Sequence, residues 1–85
     1  KKTIMTMLEN ILEYYSDEEI LKAEGFDEAI LGYDELSGRL IYSVQKCLDI
    51  LVEDMSYEDA LEYFSFNISG AYVGEKTPIW CVDNF

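Results

Sequence analysis

The stretch from Phe26 to Ser43 breaks the helical spacing that governs the rest of the chain, and this break most restricts the fold. Ala29, Ile30, Leu31 and Tyr33 form an apolar run that contains Gly32, and Asp34-Glu35-Leu36-Ser37-Gly38 then reads as a turn. Arg39 to Ser43 follows as a second short extended run. The pattern predicts a β-hairpin, with strands over 29–34 and 39–43 joined by a loop over 35–38. A helix from Asp27 to Leu36 is the competitor, and Gly32 in its middle counts against it by about 1 kcal/mol.

Helices are expected on both sides of the hairpin. Ile4, Met7, Leu8, Ile11, Leu12 and Tyr15 recur at spacings of three and four, with Thr3 as the expected cap. Ser16 with Glu19 resembles a capping box and predicts a short second helix that ends at Gly25. Ser43 precedes Val44, Cys47, Leu48 and Leu51. Ser56 precedes an acidic first turn and then Ala60, Leu61, Phe64 and Ile68, with Gly70 or Gly74 as the stop. Pro78 opens a final run, Ile79 to Val82, that extends the hairpin. The expected fold is α+β, with about four helices packed on a small three-stranded antiparallel sheet. It forms one domain over residues 1–85, since a chain this short supports a single thin core.

Charge narrows the classes of partner. Eighteen acidic residues against six basic ones, with no histidine, give a formal net charge of −12. Direct contact with nucleic acid or an anionic membrane is disfavoured, because no basic stripe neutralises phosphates. No run is long enough for a transmembrane helix, and the N-terminal stretch lacks a signal-peptide core, which places the expected site of action in the cytoplasm. Cys47 and Cys81 read as reduced thiols, with one disulfide as the alternative. No cofactor is expected. No metal is expected either, because the acidic spacing does not match an EF-hand. Without histidine, and with most serines at caps or turns, the chain reads as a non-enzyme.

Two acidic sets stand out. One comprises Glu9, Glu13, Asp17, Glu18, Glu19, Glu24, Asp27 and Glu28, and the other Asp49, Glu53, Asp54, Glu58, Asp59 and Glu62. The bland reading is a solvated face; the functional reading is a patch for a basic protein surface. Glu53, Asp54, Glu58, Asp59 and Glu62 are the candidate contact residues, with Tyr63 as an aromatic anchor. Tyr63 and Phe66 fall off the inward stripe of their helix. They either pack under the tail or the first helix, or belong to that contact surface.

Tyr63-Phe64-x-Phe66-Asn67 and Gly74-Glu75-x-Thr77-Pro78, within the stretch 56–79, resemble segments of small acidic proteins of bacteriophage and prophage genomes. Residues 25–32 and 46–51 are similar as well. The resemblance implies an accessory role inside a bacterial host and carries over no catalytic residue. By analogy of charge alone, such a protein acts as a DNA mimic that masks a basic nucleic-acid-binding surface of a host protein. The alternatives are a self-assembling phage component, which forms a homo-oligomer through its aromatic surface, and a small-ligand or Ca²⁺-binding protein.

Overall fold

The computed structural model describes residues 6–85. The chain order is α1 (Met7–Tyr14), a 3₁₀ turn (Asp27–Ala29), β1 (Ile30–Asp34), β2 (Arg39–Ser43), α2 (Val44–Leu51), α3 (Tyr57–Tyr63), a π-helical turn (Phe64–Ile68) and β3 (Ile79–Cys81). The class is α+β.

The hairpin forms where the break in periodicity places it. β1 and β2 pair antiparallel, and the register shifts between Ile30 and Gly32, as in a β-bulge. Asp34 organises the loop: its carboxylate accepts from the Ser37 hydroxyl, and its carbonyl accepts from the Gly38 N–H at 2.7 Å. Gly38 closes the loop at φ +71°, a conformation that suits glycine.

The third strand corrects the expected sheet. The strand order is β1-β2-β3, and β3 runs parallel to β2, with Ile41, Tyr42 and Ser43 opposite Ile79, Trp80 and Cys81. The sheet is therefore mixed. The intervening α2, α3 and π turn supply the long crossover that a parallel pair needs.

Helix count is the second correction, with three helices in place of about four. Residues 16–24 do not form the expected short helix. The Ala23 N–H, which a helix would use internally, donates instead to the Tyr42 hydroxyl at 2.8 Å. With that donor committed to β2, the last turn of a helix here cannot close through it. The cap of α1 is Thr6, which forms a capping box with Glu9. Thr3, expected in that role, lies outside the described residues.

Ser43 and Ser56 cap α2 and α3 as their positions predict, accepting from the Lys46 and Asp59 N–H groups. After Tyr63 the last helix widens, and the Ser69 N–H reaches the Phe64 carbonyl at 2.8 Å, an i to i+5 bond. Gly70 permits this turn, because a Cβ there would stand 2.7 Å from the Ser65 carbonyl oxygen.

The core joins all layers. Leu40 and Tyr42 of β2 meet Cys47 and Leu48 of α2, Ala60 and Phe64 of the last helix, and Leu8 of α1. Both cysteines are free thiols. Burial pushes the Cys47 thiol up to about 12, with the Asp83 carboxylate adding to the shift, so it stays protonated and unreactive at neutral pH.

The tail is tied down by Asp83. Its carboxylate accepts from the Ser43 hydroxyl at 2.6 Å and from the Gln45 N–H at 3.2 Å. The Ser43 bond, then the Gln45 bond, hold the Asp83 carboxyl below its usual range. A depressed carboxyl contributes stability that is complete above its unfolded pKa, about 4, and is lost as pH falls through the folded value. Asp83→Asn should therefore unfold at lower urea than the unaltered protein at pH 7. The gap between the two should close as the pH of the titration is lowered below about 4. A gap that stays constant with pH would exclude this role.

Candidate functional site

The exposed side of α3 carries most of the candidate residues. Glu58 and Asp59 occupy its first turn, where carboxylates favour the positive helix end. Asp59, Glu62 and Tyr63 line one depression together with Met55, Phe66 and Asn67. No basic side chain of the described residues lines it. The π turn leaves Phe66 76% exposed, and Tyr63 is 45% exposed. Phe66 is too exposed to pack under the tail or α1, which corrects that expectation for it, whereas Tyr63 borders a hollow that the tail residues Thr77, Pro78 and Trp80 also line.

The remaining candidates separate. Asp54 borders a larger groove, while Glu53 lines a third depression with Glu28, Lys46 and Asp49. Glu58 is exposed and borders none of the three. The two acidic sets nevertheless meet at two points. Glu28 shares a depression with Asp49 and Glu53, and Glu24 shares the groove with Asp54.

The groove has a volume of about 480 Å³. Its walls come from the 21–26 segment, the end of α2, the α3–π junction and the loop that precedes β3. Phe26, Leu51, Ile68, Pro78 and Trp80 supply its apolar surface. Trp80 packs against Tyr42 at a 38° tilt, with ring centroids 5.1 Å apart, and meets Phe64 edge-on at 5.4 Å. Its indole N–H is buried and has no acceptor among the described residues. Tyr63 and Asn67 line both the groove and the acidic depression, so they form the ridge between them.

Sequence reasoning ended the last helix at Gly70 or Gly74, opened a strand at Pro78 and missed this groove. The only local signals were the exposed-looking Tyr63 and Phe66 and the isolated Trp80. Basic side chains among the described residues are few here and already engaged. Lys22, on the groove wall, is already shared by Glu24 at 3.9 Å and Asp27 at 3.7 Å, and Lys76 lies 4.0 Å from Glu18. No ion pair among the described residues involves Asp54, Asp59 or Glu62.

Among the described residues, no group of three or more acidic or cysteine side chains is arranged to hold a metal ion. No helix of the described residues is long and apolar enough to cross a membrane. Comparison with known families, curated proteins and solved structures finds no match to this chain.

Proposed function

We propose that this chain is a non-enzymatic, acidic protein-interaction module that masks a basic, nucleic-acid-binding surface of a host protein. In this reading it is a phage accessory protein that acts in the cytoplasm. The observation that carries the reading is the depression formed by Asp59, Glu62, Tyr63 and Phe66. It combines exposed aromatic faces with carboxylates that have no ion-pair partner, and no lining cation, among the described residues. Carboxylates so placed attract Lys and Arg, and the adjoining rings add cation–π contact. The Tyr63-Phe64-x-Phe66-Asn67 element that resembles phage proteins lies at this same ridge.

Immobilised protein should capture nucleic-acid-binding proteins from a bacterial lysate and release them at moderate salt. Combining Asp54→Asn, Asp59→Asn and Glu62→Gln should weaken that capture by about tenfold at low salt, from roughly 0.5 kcal/mol per rim contact. It should also flatten the salt dependence. Equal retention on both columns would remove the patch from the account.

A second reading, self-assembly, is favoured by the exposure of Tyr14, Phe66, Tyr72 and Phe85. It predicts a mass above that of one chain in light scattering, with no dependence on host protein.

A further inference from the structure

We infer that the groove over Trp80 and the acidic depression form one composite site. The site takes a short segment of the basic partner in which an apolar side chain adjoins Arg or Lys. The inference rests on the interaction reading above and names what the partner presents.

Continuity is the first observation. Tyr63 and Asn67 line both hollows, so a segment crossing their ridge reaches both at once. The groove side is largely apolar, walled by Phe26, Leu51, Ile68 and Pro78. It suits a Leu-, Ile- or Met-sized side chain, whose burial supplies affinity that charge alone does not.

Charge complementarity fixes the rest of the occupant. Beyond the ridge, Asp59 and Glu62 stand beside Tyr63 and Phe66, with no basic side chain of the described residues in the lining. That set fits a planar guanidinium, which pairs with carboxylates and stacks on rings. Asp54, at the groove edge, adds a carboxylate without an ion-pair partner among the described residues. A chain of net charge −12 repels an acidic segment from the same place.

The indole N–H of Trp80 does not open to the groove, so Trp80 lines it through its ring. That N–H is a donor only, and it is buried without an acceptor among the described residues.

Trp80 is also the sole tryptophan, so the intact chain reports on its own groove. The test is a titration of Trp80 emission with three end-capped synthetic peptides. One places two leucines between arginines, the second replaces the leucines with serine, and the third replaces the arginines with glutamate. The arginine–leucine peptide should shift the emission, and the serine peptide should bind about tenfold more weakly or worse. The glutamate peptide should not bind, and Glu62→Gln should weaken the first peptide while leaving the free protein's emission unchanged.

Equal binding of the leucine and serine peptides would overturn the groove assignment and leave the charge-based reading intact. Equal binding of the arginine and glutamate peptides would overturn both. No emission change up to millimolar arginine–leucine peptide would overturn the composite site. So would a doubled mass in light scattering that the peptide reverses, because the occupant would then be a second copy of this chain.

Discussion

Tyr42→Ala should lower the stability of this protein by about 3–5 kcal/mol, the usual cost of removing a fully buried aromatic side chain. Tyr42 has no exposed surface. A domain of this length has roughly 4–13 kcal/mol in total, so the alanine variant loses from about a quarter of that margin to all of it. Tyr42→Phe separates the ring from its hydroxyl. The ring still packs on Trp80, but the Ala23 N–H loses its acceptor. That variant should lose about 1–2 kcal/mol in urea denaturation. It should also loosen the 21–26 segment, which is one wall of the groove. Faster amide exchange at Ala23, with the sheet still protected, would be the signature. An unchanged urea midpoint for Tyr42→Phe would show that this bond does not hold the segment.

Phe64→Ala should be the next most damaging change, at about 3 kcal/mol or more. Phe64 is buried at the point where the α-helix gives way to the π turn, and its ring meets Trp80 edge-on. Its loss removes one of the indole's two aromatic contacts and leaves the one with Tyr42. The expected result is a lower urea midpoint together with a red-shifted Trp80 emission in the folded state. Phe64→Leu keeps most of the volume and should recover much of the stability, less about 0.5–1.5 kcal/mol for the aromatic pair. A destabilised Phe64→Ala variant with unaltered Trp80 emission would separate the core from the groove and contradict their coupling.

These two residues also show what the sequence can and cannot disclose. The hairpin was legible because its signals are local: Gly32, the Asp34–Gly38 turn and two short apolar runs. The caps Ser43 and Ser56 were legible for the same reason, since each bonds a backbone N–H three residues on. The direction of β3 was not. Pro78 and Ile79–Cys81 mark a strand, but whether it lies parallel or antiparallel depends on how α2 and α3 return the chain to the sheet.

The missing helix at 16–24 failed through tertiary override. Its capping signal was correct in form, yet the Tyr42 hydroxyl, nineteen residues away, takes the Ala23 N–H. The acidic candidates were legible as composition but not as a surface. Asp59, Glu62 and Tyr63 converge on one depression, Asp54 joins the groove beside it, and Glu53 faces a different cluster. The groove itself is built from four separated stretches, so no single window of sequence contains it.

The most direct measurement of the masking proposal is a competition. A labelled DNA duplex is bound to a host protein recovered on the immobilised chain, and the free chain is titrated in at fixed salt. Masking predicts that the DNA is released as the chain binds. The variant carrying Asp54→Asn, Asp59→Asn and Glu62→Gln should need about tenfold more protein for the same release. A ternary complex, in which the host protein holds the chain and the DNA together, would contradict it.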